Sequence, residues 1–167
     1  MWSQNKKYVA VVIAALALAS AAFADVKVGA PFPDLETFNL EGTLPDRAGR
    51  VVLVDFWATW CGPCRASFPA YTVLQKDLAE RGFTIVAVSV DKKPEEYAAF
   101  LKKFAPGFVT VRDAKQKLVG EVRVPSMPTC YLIDRKGVLR VIHSGFHGDD
   151  TARDLREQIV KLLEEKP

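Results

Sequence analysis

Two histidines and three cysteines are all that this 167-residue sequence holds of imidazole and thiol metal ligands, and only Cys61 and Cys64 form a close cysteine pair. A structural zinc site wants four Cys or His ligands. Cys130, His143 and His147 are the only others, so no metal site is expected. A disulfide-braced scaffold would carry more cysteines, in even number. No run of like charge exceeds four residues and no basic stripe appears, which argues against a nucleic-acid partner. Repeats, low-complexity tracts and a dividing linker are also missing, so the chain reads as one domain with a real core. The formal net charge is +3, and Lys6 and Lys7 supply two of the 23 basic groups set against 20 acidic ones.

One long apolar run is present, and it sits at the start. After Lys6 and Lys7, residues Val9 to Ala22 are apolar apart from Ser20, and Ala22-Phe23-Ala24 places small residues before Asp25. This is the pattern of a secretory signal over residues 1–24, leaving a domain over 25–167. The run is short for spanning about 30 Å of hydrocarbon, and an uncleaved anchor is the alternative. The expected location is periplasmic or otherwise extracytoplasmic, where disulfide chemistry is permitted.

Leu35 to Leu40 alternates apolar and polar residues and reads as an edge strand or hairpin arm turning at Glu41-Gly42. Val51 to Trp57 and Phe83 to Val90 are nearly continuous apolar runs, the mark of strands buried on both faces. Between them a helix is expected from about Cys61 to Arg81, with Pro69 inside it and Gly82 ending it. Helical spacing recurs over Lys92 to Phe104, a short strand over Phe108 to Val111 and a short helix over Asp113 to Gly120. Thr129 to Ile133 and Val138 to His143 make a hairpin, and an amphipathic helix closes the chain from Asp150 to Glu164. The order β-α-β-α-β, hairpin, helix predicts an α/β fold with parallel strands and a hairpin at one side.

Cysteines at i and i+3 of a helix start are neighbours on its first turn. Cys61 would sit at the helix N-terminus, where unpaired N–H groups and the macrodipole favour a thiolate. It is therefore the attacking sulfur, and Cys64, one turn further in, resolves the mixed disulfide. Pro63 falls early in the helix, where its missing N–H costs nothing. Asp55 is a charged group in an apolar strand, and an unpaired buried carboxyl should have a raised pKa.

The segment Asp55-Phe56-Trp57-Ala58-Thr59-Trp60-Cys61-Gly62-Pro63-Cys64-Arg65, with Pro69 beyond it, resembles the active-site segment of thioredoxins. The lead-in Gly29-Ala30-Pro31-Phe32-Pro33, the apparent secretion and the strand-helix stretch before Pro128 look more like the TlpA/ResA branch of extracytoplasmic thioredoxin-like proteins. The resemblance covers about Val28 to Leu163. It implies a thioredoxin fold, a central mixed sheet flanked by helices, with an N-terminal extension and a strand-helix insert. Met127-Pro128-Thr129 resembles the family's cis-proline loop, with Pro125 an ordinary trans proline. On this likeness the catalytic set is Cys61, Cys64, Asp55 and Pro128, with Asp55 moving the proton of Cys64. Trp60, Gly62, Pro63, Met127 and Thr129 are the implied substrate contacts, and no cofactor is implied. Trp57 reads as core and Cys130 as a buried, inert thiol. Ser67 stands where TlpA/ResA proteins often carry glutamate, and Asp55 where they often carry asparagine, so a thioredoxin-like acid sits in a TlpA/ResA-like frame.

Gly-Pro between the cysteines is the thioredoxin pair, which points to a reductant near about −270 mV rather than an oxidant near roughly −120 mV. Such a protein needs recharging by a membrane electron donor of the thiol–disulfide transporter type. Its clients would be oxidised cysteine pairs in secreted proteins, apocytochrome c among them, with membrane contact only transient or through an uncleaved anchor. A thioredoxin-fold peroxidase is the first rival, since Ala30-Pro31-Phe32-Pro33-Asp34 also looks like peroxiredoxins, but their Thr-x-x-Cys site is absent. The second is a metal- or apoprotein-binding chaperone, whose usual Cys-x-x-x-Cys is one residue longer than the spacing here.

Overall fold

A computed structural model describes residues 26–166. The signal segment over 1–24 and the cut at Asp25 lie outside the described residues. Among the described residues no helix is long and apolar enough to cross a membrane.

Two strands fill the middle of the sheet because almost every side chain on them is apolar. Strand β1 (Val51–Trp57) and strand β2 (Phe83–Ser89) are buried at all seven positions each. They pair in parallel, from Val51 opposite Phe83 to Trp57 opposite Ser89. Helix α1 (Gly62–Leu78) makes the crossover between them and ends in a 3₁₀ turn over Ala79–Arg81. Gly82 then turns the chain back at φ +94°, a left-handed conformation that glycine adopts without strain. After helix α2 (Pro94–Phe104), strand β3 (Val109–Arg112) adds in parallel outside β2. Helix α3 (Lys117–Val122) leads to the hairpin of β4 (Thr129–Ile133) and β5 (Leu139–Ser144), and helix α4 (Asp149–Glu164) closes the chain. The sheet order is β3-β2-β1-β4-β5, with β4 antiparallel to β1. This is the mixed sheet of a thioredoxin fold.

Alternation along β1 sorts its side chains. Val51 and Leu53 join Tyr71, Leu74 and Leu78 of α1 and Leu155, Ile159, Leu162 and Leu163 of α4 in one core. Val52, Val54 and Phe56 join Leu35, Phe100 of α2 and Leu118 and Val122 of α3 in the other. Asp55 is in phase with Val51 and Leu53, so its carboxyl enters the layer between the sheet and α1.

Two local expectations are corrected. Leu35 to Leu40 is no strand: Leu35–Phe38 forms a 3₁₀ turn. Asp34 caps it, accepting from Glu36 N at 3.1 Å and, through its carbonyl, from the Thr37 hydroxyl at 2.7 Å. Such local hydrogen bonds compete with a ladder and win here. Glu41 is likewise no hairpin turn; its backbone exchanges two hydrogen bonds with Arg112 at the edge of β3. Helix α3 starts four residues later than Asp113, because the Asp113 carboxylate is engaged as an acceptor for Lys117 N and Val119 N.

Candidate active site

Cys61 ends the loop that leaves β1 and is the N-cap of α1. Its sulfur accepts from Cys64 N at 3.2 Å, and Pro63 occupies the first turn. The two cysteines are joined in a disulfide with a Cα–Cα distance of 5.3 Å. Cys61 retains 6% of its surface exposed, whereas Cys64 retains none. The asymmetry follows from helix geometry: the cap sits at the rim and the next turn faces the core. One sulfur is reachable from outside and the other only from within. A Cβ added to Gly62 would meet nothing within 4 Å, so the ground beside the disulfide is open. Trp60 stands next to it, 66% exposed. Trp57, by contrast, is fully buried and packs against Phe68 and Phe100, each at 4.9 Å between ring centroids.

A buried aspartate at the end of β2 pins the loop before the cysteines. The Asp91 carboxylate accepts from Thr59 N at 3.1 and 3.0 Å, from the Thr59 hydroxyl at 2.8 Å and from the Ser89 hydroxyl at 2.7 Å. Arg112 holds the backbone behind it, donating to the carbonyls of Asp91 and Lys92 and pairing with Glu41. Sequence reasoning missed Asp91. The available signal was a lone carboxylate directly after a buried strand, followed by Lys92-Lys93-Pro94.

The second wall is the Met127-Pro128-Thr129 segment. The Met127–Pro128 bond is cis, and it is the only cis bond among the described residues, Pro125 being trans. Phe56 pairs with Thr129 across β1 and β4, which brings Met127 and Pro128 alongside the segment from Trp57 to Cys61. Met127 is half-buried and Pro128 buried. Thr129, expected among the substrate contacts, is fully buried, and its hydroxyl donates to Ser126 O at 2.8 Å. It braces the loop from inside because the β4 ladder turns its side chain inward, and it offers a partner no surface.

Asp55 lies below this rim, fully buried. The Tyr71 hydroxyl donates to its Oδ1 at 3.2 Å, and its Oδ2 has no partner among the described residues. Burial pushes its pKa well above the usual carboxylate range, only partly offset by the Tyr71 hydrogen bond. Cys64, Ser67 and Tyr71, spaced three and four apart, share one face of α1. Ser67 is buried and donates to the carbonyl of Cys64 at 2.8 Å. Cys130 pairs with Asp55 across the sheet as a free, buried thiol, and burial pushes its pKa far up. That suits the expected inert thiol. His143 pairs in turn with Cys130, and His147 lies in an exposed loop. Among the described residues no cluster of three or more His, Cys, Asp or Glu is arranged to hold a metal.

A thioredoxin-like family profile matches residues 49–139, more than half of the chain and all of the cysteine segment. The chain belongs to the thioredoxin-like family. The thioredoxin-like protein YneN of Bacillus subtilis is 37% identical over 126 residues, covering 72% of this chain and 73% of YneN. The thiol-disulfide oxidoreductase ResA of Bacillus anthracis is 30% identical over 146 residues, covering 84% and 83%. A crystal structure from Chlorobium tepidum, described as a thiol:disulfide interchange protein DsbE, superposes with a TM-score of 0.76 at 37% identity. That match covers 83% of this chain and 99% of that one. Within the family, a reachable Cys61 and a sealed Cys64 in one Cys-x-x-Cys make this chain a thiol–disulfide oxidoreductase. It acts by exchanging its own disulfide with another.

Proposed function

We propose that this chain is an extracytoplasmic protein-disulfide reductase. The observation that carries the reading is an N-cap sulfur at the rim joined to a sealed sulfur on α1, the helix whose Tyr71 holds a buried, half-partnered carboxyl on β1. In the reduced protein the Cys61 thiolate attacks one sulfur of a client disulfide. The client's other sulfur leaves and takes up a proton, and a mixed disulfide remains. Cys64 then gives its proton to Asp55 and attacks the Cys61 sulfur. The mixed disulfide breaks, the second client sulfur leaves as a thiolate that takes up a proton from water, the client departs as a dithiol, and Cys61–Cys64 is the disulfide described above.

Trp60, Gly62, Pro63 and Met127 form the docking rim. Pro128 has no N–H of its own, which leaves the Met127 backbone free to pair with an extended client segment. Residues 1–24 act as the export signal of a domain over 25–167, supported by the apolar run from Val9 to Ala22 and its small-residue end. A membrane thiol–disulfide electron donor returns two electrons to Cys61–Cys64 after each cycle. Exported proteins with cysteine pairs are the client class, and apocytochrome c is the client to assay first.

The test is the equilibrium reduction potential of the Cys61–Cys64 pair together with insulin reduction. A potential close to about −270 mV and active insulin reduction, lost in Cys61→Ser, are the expected results. A potential above roughly −180 mV, in the range of isomerases and oxidants, overturns the reductant reading.

A further inference from the structure

Among the described residues no cation pairs with Asp55. The groups around its carboxyl can be named element by element. On β2 its register partner is Ala87, and on β4 it is Cys130. On β5, His143 pairs with Cys130, two strand spacings or roughly 10 Å from Asp55. Helix α4 contributes the apolar side chains Leu155 and Ile159 to this core. Helix α1 contributes Tyr71, with Cys64 and Ser67 on the same face of the helix. Of these, Tyr71 alone donates a hydrogen bond to the carboxyl, and it does so to one oxygen only.

The neighbours of the phenol are equally constrained. Ser67 and Cys130 lie beside its oxygen. Burial pushes both the Tyr71 phenol and the Cys130 thiol upward, so each keeps its proton through neutral pH. In this layer Asp55 is the carboxyl that can receive a proton, and Tyr71 is its fixed donor.

We propose that Tyr71 is a positioning residue for the thiol–disulfide reaction: its phenol anchors Asp55 through Oδ1 and leaves Oδ2 as the oxygen that takes the Cys64 proton. This rests on the reading of Asp55 as the proton acceptor. In the resolving step the Cys64 S–H bond breaks and its proton passes to Oδ2, giving a neutral carboxyl. The Cys64 sulfur bonds to Cys61 as the bond from Cys61 to the client breaks, and the electron pair leaves on the client sulfur. Tyr71 keeps its proton throughout. A hydrogen bond to the charged form favours that form, so the phenol lowers the pH at which Asp55 becomes an effective base. It thereby works against the desolvation that burial imposes.

Tyr71→Phe tests this with the ring packing retained against Phe108 and Phe146, whose centroids lie 6.2 and 6.3 Å away. Two quantities are followed in the reduced protein: the carboxyl ¹³C titration of Asp55, and the pH dependence of Cys64 reaction with a model disulfide. In Tyr71→Phe both midpoints should move up by about one pH unit. With 3-fluorotyrosine at position 71, a stronger donor, both should move down. A loosened core would shift both variants the same way, so opposite signs are the mark of the hydrogen bond. An Asp55 midpoint unmoved by either change, or moved the same way by both, overturns the role of Tyr71 and leaves that of Asp55 standing. If instead the Cys64 profile is unaltered in Asp55→Asn, the proton role of Asp55 falls and the role of Tyr71 falls with it.

Discussion

An aspartate in an unfolded chain ionises near about pH 3.9, whereas burial keeps Asp55 protonated to well above that in the fold. Between those two values the folded state holds the extra proton, so stability falls as pH rises. The contribution of Asp55 is therefore fully present below about pH 4 and is lost as pH climbs through its folded pKa. Each unit of upward shift is worth about 1.4 kcal/mol. Asp55→Asn removes this dependence. The variant should match the parent near pH 4 and exceed it in stability at pH 8, while its Cys64 resolves more slowly. Urea unfolding of the reduced proteins at the two pH values checks the sign. A parent more stable than the variant at pH 8 would show that Asp55 is not a buried charge in waiting.

At the scale of elements, the active loop owes its shape to β2 as much as to the helix it starts. Asp91 satisfies the Thr59 N–H, the Thr59 hydroxyl and the Ser89 hydroxyl together. Asp91→Ala leaves those donors buried and unpaired, at about 1–3 kcal/mol for each that water cannot reach. The expected outcome is a loss of about 2–4 kcal/mol in urea unfolding, with a fall in insulin reduction. Asp91→Asn, which keeps an acceptor, should lose less. The long periodic elements were legible beforehand: β1 has the bounds that its apolar run implies, and α4 begins one residue early. Strand β4 also has its expected bounds, but two short elements were misread. Leu35 to Leu40 was expected as a strand but Leu35–Phe38 curls into a 3₁₀ turn, and α3 starts late, in each case because an aspartate captures nearby N–H groups. Hydrophobic period carries no record of such local capture.

Across the whole molecule the lead-in acts as a strap over the hairpin. Gly29 N donates to Leu139 O at 2.8 Å, Leu139 N to Ala30 O at 2.9 Å and Phe32 N to Gly137 O at 3.0 Å. Phe32 lays its ring on Tyr131, with centroids 5.4 Å apart. Three hydrogen bonds at about 1 kcal/mol each and one partly buried ring suggest that deleting residues through Pro33 costs about 2–4 kcal/mol. Thermal unfolding should show a midpoint lowered by about 5–15 °C. An unchanged midpoint would make the lead-in a passive tether.

The cysteine segment, its place between a buried strand and a helix, and the order of the main elements were set by sequence, because each depends on residues close together in the chain. From them came the fold class, the reaction and the proposed division of labour between Cys61 and Cys64. The tertiary structure decided what neighbours in space contribute. Asp91 reaches Thr59 from 32 residues away, and Tyr71 meets Asp55 from 16 residues away. Thr129 turned inward where a substrate contact was expected, because the ladder beside β1 fixes which way each β4 side chain points. A carboxyl, a phenol and a thiol meet in one dry layer only once the sheet and α1 have packed. What began as a spacing between two cysteines is, in the folded chain, a disulfide at the start of a helix that also holds a buried carboxyl through Tyr71.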